Sequence, residues 1–346
     1  MSATLPERMK ALVVRAADDP LAPPSARLTV AELPVAQPGP GQVLIRMDAA
    51  PANPSDMMYI RGLYGVPLEL DAPAGFEGTG TVVAAGGGMM GRYLKGKRVA
   101  CGSQGGGQGA WSEYLITTAS NCLPLSRDIP PEQAGTLLVN PFTAFGLLDR
   151  AKQLGAGGVV QTAGASQVGK LVIRVAERRG MPVISLVRRA EQVDMLRAIG
   201  AEHVLSTADP AWQDELRALS KRLKATVAFD AVAGPMTAQL LQAMPKHSTA
   251  IVYGRLHDEP GDPYGGRYPV GEMIFADQKI EGFWLAWTLA RGGLVKLIGR
   301  SREIQRLFAD GALKTDIAGT HSLDAFPAAL DAYEQNMSAG KVILRF

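Results

Sequence analysis

Only two cysteines, Cys101 and Cys122, and four histidines occur in the 346 residues. Two thiols exclude a disulfide scaffold and any four-cysteine structural zinc site. The histidines, His203, His247, His257 and His321, are scattered with no metal-ligand spacing. Aromatic residues make up only 6% of the chain, and no run reaches the ~18 apolar residues of a spanning helix. Glu7 and Lys10 lie where a secretory signal would need an apolar core. Neither sign of charge dominates, since 36 basic and 33 acidic side chains leave +3. They are interspersed, so no basic stripe points to nucleic acid. The expectation is a cytoplasmic protein with no nucleic-acid or membrane partner.

What the chain does have is glycine (39) and proline (23) between aliphatic runs. Its length suggests two domains at about 150 residues each. Residues 9–125 read as short strands: Met9-Lys10-Ala11-Leu12-Val13-Val14, Val43 to Met47, Thr81 to Ala84 and Arg98-Val99-Ala100. Pro38-Gly39-Pro40-Gly41 and Gly86-Gly87-Gly88 punctuate them. A helix start is expected at Ser55, and the whole reads as an antiparallel, barrel-like unit. From residue 132 the pattern changes. Strand candidates at 158–162, 182–187, 203–205, 226–229 and 250–253 alternate with helical spacing, the mark of a doubly wound parallel sheet. Helices over 294–310 and 326–337 and a strand at 342–344 close the chain. The expected class is α/β, with the second domain inserted into the first. The Pro-, Gly- and Tyr-rich segment 258–271 reads as a long loop.

The first βα junction carries Thr162-Ala163-Gly164-Ala165-Ser166-Gln167-Val168-Gly169. It resembles the dinucleotide fingerprint with serine at the second glycine. Such a turn brings backbone N–H groups and a helix amino terminus to a pyrophosphate. At the end of the next strand stand Arg188 and Arg189, where a site selective for NAD would place a carboxylate. A guanidinium there suits a 2′-phosphate, which favours NADPH over NADH.

These residues resemble the medium-chain dehydrogenase/reductases, and the similarity runs from Met9-Lys10-Ala11 to Gly340-Lys341-Val342. The resemblance implies a GroES-like β-barrel domain (1–137 and 290–346), a Rossmann NADP(H)-binding domain (138–289), a cofactor cleft between them and a homodimer. Asn53-Pro54-Ser55-Asp56 with Ile60-Arg61-Gly62-Leu63-Tyr64 is similar to the signature of the zinc-independent 2-enoyl thioester reductases. In that signature the tyrosine is catalytic. Asn140, Thr143, Tyr253, Gly254, Phe283, Trp284, Leu285 and Lys341 match stretches that contact the cofactor. Zinc-dependent members have a cysteine at Asn53 and a histidine at Phe76, so the resemblance implies no catalytic zinc here.

Without a metal, hydride addition to a conjugated double bond is the favoured chemistry, because hydrogen-bond donors can stabilise an enolate. Tyr64 either closes its loop by packing or, as the resemblance implies, delivers the proton. Asn53 and Thr143 are polar supports or ordinary cap residues. Trp284 and Trp287, with Phe283, form either an apolar wall for substrate or a packing surface. The expected substrate is a small molecule: an enoyl thioester first, an enone or quinone as the alternative; a non-catalytic NADPH-binding protein is the remaining reading.

Overall fold

The computed structural model describes residues 5–19, 21–103, 108–257, 268 and 270–346. The expected loop over 258–271 lies for the most part outside them. The chain divides into two compact units, Met1–Val139 with Ile298–Phe346, and Asn140–Leu297. The second crossing falls eight residues later than the expected 289/290, inside the helix Leu285–Ala309. That helix is two helices joined at Gly293, whose φ of 72° and ψ of 159° break the helical path.

In chain order the first unit lays down β1 (Arg8–Val14), β2 (Leu28–Pro34), β3 (Gln42–Pro51), β4 (Glu77–Ala85), β5 (Arg98–Gly102), β6 (Tyr114–Thr118) and β7 (Cys122–Pro124). The second unit holds β8 (Gly158–Gln161), β9 (Val183–Val187), β10 (His203–Ser206), β11 (Ala225–Asp230), β12 (Thr249–Val252) and β13 (Lys279–Gly282). The chain then returns to the first unit with β14 (Ile317–His321) and β15 (Lys341–Arg345).

In the first unit β1 and β2 form an antiparallel pair, and a larger sheet runs β14-β15-β3-β4-β5-β7, with β6 on β3. Only β14–β15 is parallel in that sheet. Its core gathers Leu12, Val43, Ile45, Met57, Ile60 and Leu115 around Trp111. The Trp111 ring meets Phe326 edge-on at 5.2 Å, and its indole N–H donates to the Pro51 carbonyl at 3.1 Å. The aromatic body is thereby buried with its one polar atom satisfied.

The second unit is a six-stranded parallel sheet ordered β10-β9-β8-β11-β12-β13. Val159, Val160, Ile184, Leu186, Phe229 and Ile251 are all buried. Continuous apolar runs of this kind belong to strands covered on both faces. The aliphatic strand pattern of the sequence ends at residue 253. The structure adds β13, a four-residue strand with two charged side chains in Lys-Ile-Glu-Gly that no hydrophobic run announces.

Candidate active site

The strand order of the second unit reverses between β8 and β11, so the chain leaves these neighbours in opposite directions. A crevice at the carboxyl ends of such strands is where doubly wound sheets bind ligands. The residues there are tied to one another. The Thr162 hydroxyl donates to Asp230 Oδ1 at 2.9 Å and accepts the Ala231 N–H at 2.8 Å. Asp230 is buried; its Oδ1 also accepts the N–H groups of Val232 and Ala233, and its Oδ2 the Thr237 hydroxyl at 2.6 Å. One carboxylate thus shapes the turn after β11.

The fingerprint turn follows β8. Ser166 caps the helix Gln167–Arg178, its Oγ accepting the Gly169 N–H at 3.1 Å. Gln161 Nε2 donates to the Gly169 carbonyl and to Ser185 Oγ, at 3.1 and 2.9 Å. The Gly164 N–H donates to the Leu186 carbonyl at 2.9 Å, and a Cβ on Gly169 would overlap the Gly164 backbone. Ala165 and Gln167 are buried and Val168 is half-buried. Arg188, beyond β9, is exposed, while Arg189 pairs through Nε with Glu191 at 3.0 Å. The N–H groups of Tyr253 and Gly254 both point to the Asp230 carbonyl. Burial, reinforced by the Asp230 charge, pushes the Tyr253 phenol pKa up.

Asn140 and Thr143 lie on the helix Val139–Gln153, both buried. Among the described residues the Asn140 side-chain nitrogen has no acceptor, although the residue is only 3% exposed. A buried donor without a partner costs about 1–3 kcal/mol, so this amide is suited to a ligand acceptor. Together with the serine-capped turn that has no room for a Cβ, it fits a dinucleotide cofactor. Phe283 plays a packing part: its N–H donates to the Val252 carbonyl at 2.9 Å, and its ring lies over Gly146, where a Cβ would come within 2.9 Å. Trp284 meets Trp287 edge-on at 6.0 Å, Trp287 is exposed, and Leu285 opens the kinked helix.

The first unit holds a buried charge cluster. Lys341, 1% exposed, donates from Nζ to the Ala52 carbonyl at 2.7 Å, to Asn53 Oδ1 at 2.6 Å and to Tyr333 Oη at 3.4 Å. Asn53 Nδ2 donates to Glu77 Oε1 at 2.9 Å, and Glu77 Oε2 accepts the N–H groups of Leu138 and Val139. Asp56, in the first turn of the helix Pro54–Ile60, accepts the N–H groups of Asn53 at 2.7 Å and Phe76 at 2.9 Å. Burial pushes the Asp56 carboxyl up to about 7 against the pull of these hydrogen bonds and of Lys341. Burial likewise raises Glu77, and lowers Lys341 to about 8 despite both carboxylates.

Tyr64, half-buried, packs on this region: its ring is 4.9 Å from Phe76, which meets Tyr59 at 5.3 Å. Asp56 therefore holds the backbone of the residue on which Tyr64 leans.

Two family models match the chain: the alcohol dehydrogenase GroES-like domain over residues 39–127, and the zinc-binding dehydrogenase over 168–297. The mitochondrial enoyl-[acyl-carrier-protein] reductase of Mus musculus is 32% identical over 98% of this chain and 89% of its own. The chain belongs to the medium-chain dehydrogenase/reductase family. A crystal structure of a candidate NADPH:quinone reductase from Mesorhizobium loti superposes with a TM-score of 0.90 at 36% identity, covering 99% of this chain and 100% of that one. The complex of Etr1p, a Candida tropicalis 2-enoyl thioester reductase, with NADP and crotonyl-CoA shares the fold. Its TM-score is 0.79 at 19% identity, over 98% of this chain and 100% of that one.

As a medium-chain dehydrogenase/reductase the protein is an oxidoreductase with a GroES-like and a Rossmann-like domain. The expected residues fall into two groups. Gly164 to Gly169, Tyr253 and Gly254 gather at the strand ends of the Rossmann-like unit. Asn53 and Lys341, expected at the cofactor, lie in the first unit and are hydrogen-bonded to each other, as a buried ammonium needs acceptors. The sequence alone marks Glu77 only as a turn or strand-end residue, carries Asp56 and Thr162 inside motifs without a role of their own, and assigns nothing to Asp230 or Tyr333. Only the fold brings Asp56, Glu77 and Lys341 together across the sequence. Asp230 had a local signal, an acidic residue closing the apolar strand Ala225–Asp230 just before Ala231-Val232-Ala233-Gly234.

Proposed function

We propose that this protein is an NADPH-dependent, zinc-independent reductase of α,β-unsaturated carbonyl compounds, with 2-enoyl thioesters as preferred substrates. The observation that carries the reading is Tyr64 in the Asn53–Tyr64 segment, seated on Phe76 beside the buried cluster. The enoyl reductase relatives and the Arg188-Arg189 pair after β9 support it. Bound NADPH would supply the hydride to the β-carbon. The chain's own residues do the rest. Ser166 and the first-turn N–H groups would hold the pyrophosphate, and the Asn140 amide would take an acceptor on the nicotinamide side. Tyr64 carries a phenol O–H, which can both donate and accept a hydrogen bond. Its Oη hydrogen-bonds the developing enolate and returns a proton to the α-carbon. Asn53, where zinc-dependent relatives carry a cysteine, has its amide between Lys341 and Glu77 and serves the scaffold.

The alternative, an enone or quinone reductase, is favoured by the Mesorhizobium loti relative. NADPH oxidation followed at 340 nm with crotonyl-CoA and with a simple quinone separates the two. Tyr64→Phe is expected to lower thioester turnover by about 10²-fold or more and to leave quinone turnover intact. Quinone reduction alone, unchanged by the substitution, would replace the enoyl reading with the quinone one. Cytoplasmic residence and a homodimer are part of the same proposal.

A further inference from the structure

Tyr64 lies in a stretch without helix or strand between Ile60 and β4, so no backbone ladder fixes it. The helix Pro54–Ile60 ends in a left-handed stop at Gly62, φ 72°. The Gly62 N–H donates to the Tyr59 carbonyl and the Leu63 N–H to the Met58 carbonyl, both at 2.9 Å. This pair of bonds is a Schellman cap, and it sets the direction in which the chain leaves the helix. Tyr64 is the next residue.

The cap residue itself is Arg61. Its guanidinium reaches the helix Phe326–Gln335 and meets Glu334 at two points, Nη1–Oε1 at 2.5 Å and Nη2–Oε2 at 2.8 Å. Both side chains are largely shielded from solvent. A two-point guanidinium–carboxylate pair defines an orientation as well as a distance. A single exposed contact would not. The neighbouring Tyr333 accepts from Lys341, so one helix turn is tied both to the cap and to the buried cluster. On the far side the loop is held by Tyr59 Oη, which accepts the Glu69 N–H at 3.3 Å.

We propose that Arg61, clamped by Glu334, is a positioning residue for Tyr64. The pair holds the cap from which the short Gly62–Gly65 turn presents the phenol over Phe76. The proposal rests on Tyr64 being the proton donor, and its test has one arm independent of activity. Arg61→Met, Glu334→Gln and the exchange Arg61→Glu with Glu334→Arg are made in the wild type and in Tyr64→Phe. Crotonyl-CoA reduction gives kcat and KM, and 3-fluorotyrosine labelling gives a 19F resonance for Tyr64, assigned by its loss in Tyr64→Phe.

The single variants are expected to lower kcat about tenfold with KM within about twofold, since small displacements of a reacting group are costly. They should also shift or broaden the Tyr64 resonance. The exchange should restore most of both. In the Tyr64→Phe background Arg61→Met should cost no further kcat. An equal loss in that background would overturn the proposal, because the effect would then bypass Tyr64. An unmoved Tyr64 resonance in both single variants would overturn it too, including in a protein found inactive on thioesters. Glu334→Gln preserves shape and volume and keeps the comparison within a folded chain.

Discussion

At the scale of single residues, the buried cluster couples stability to pH in a way that can be read out. Asp56 sits at about 7 in the folded chain against an ordinary 3.8, so between these values the folded chain keeps a proton that the unfolded chain releases. Its stabilising contribution is full below about 4 and is lost as pH rises through about 7. Lys341 has the opposite sign. Its folded value of about 8 lies below 10.5, so its contribution is present above about 10.5 and lost as pH falls through about 8. Urea unfolding midpoints from pH 5 to 7 should therefore fall more steeply in the wild type than in Asp56→Asn. Equal slopes would show that Asp56 is not the group that takes up the proton. The arginines after β9 give a second residue-scale prediction. A charge-assisted hydrogen bond is worth about 1.5–3 kcal/mol, so Arg188→Ala with Arg189→Ala should weaken NADPH binding by roughly 10–100-fold. NADH binding, measured by quenching of protein fluorescence, should stay within about twofold. Equal weakening of both cofactors would mean the pair does not read the 2′-phosphate. Arg188 is exposed and Arg189 already pairs with Glu191, so the second has to give up a partner and the first does not.

At the scale of elements, what could be read from the sequence tracks how much each element depends on its own side chains. The buried strands β8, β9, β11 and β12 are short runs dominated by apolar residues, and for that reason their edges are legible in the sequence to within about a residue. β14 was not expected at all: Ile317-Ala318-Gly319-Thr320-His321 is short, contains glycine and is a strand only because β15 lies beside it. The kinked helix is the opposite case. Its sequence expectation began at residue 294, whereas the helix runs from Leu285 with its break at Gly293. A φ of 72° with ψ near 159° is a region essentially closed to residues with a Cβ. Gly293→Ala should consequently lower stability by about 1–3 kcal/mol. Guanidinium unfolding would register it as a lower midpoint with unchanged slope. A midpoint within a few hundredths molar of the wild type would mean that the break relaxes at no cost. Conversely, the Asp56–Glu77–Lys341 cluster was illegible because its members come from three separate elements. Charged residues with no local pattern look the same whether solvated or buried.

At the scale of the whole molecule, the Rossmann-like sheet ends on β13, a strand that among the described residues pairs only with β12. Two residues before it in the chain, the helix Val270–Ala276 exposes Val270 at 64%, Ile274 at 68% and Phe275 at 83%. An unpaired edge next to exposed large apolar side chains is a template for strand pairing, which folded monomers normally blunt. Lys279 and Glu281 are the charges on that edge strand, and Glu281 is already committed to a two-point pair with Arg150. Only Lys279 remains to discourage pairing. A second copy presenting the same edge antiparallel would extend the sheet and cover the apolar side chains with identical ones, the self-complementary arrangement of a twofold dimer. Light scattering after size exclusion should therefore give twice the 36.6 kDa chain mass for the wild type. Ile274→Glu with Phe275→Asp should bring it to the chain mass while leaving NADPH binding in place, because neither residue belongs to the strand ends that form the cofactor turn. A wild type that elutes at the chain mass would remove the dimer and leave the apolar patch in need of another occupant. A double variant that stays dimeric would move the interface away from β13.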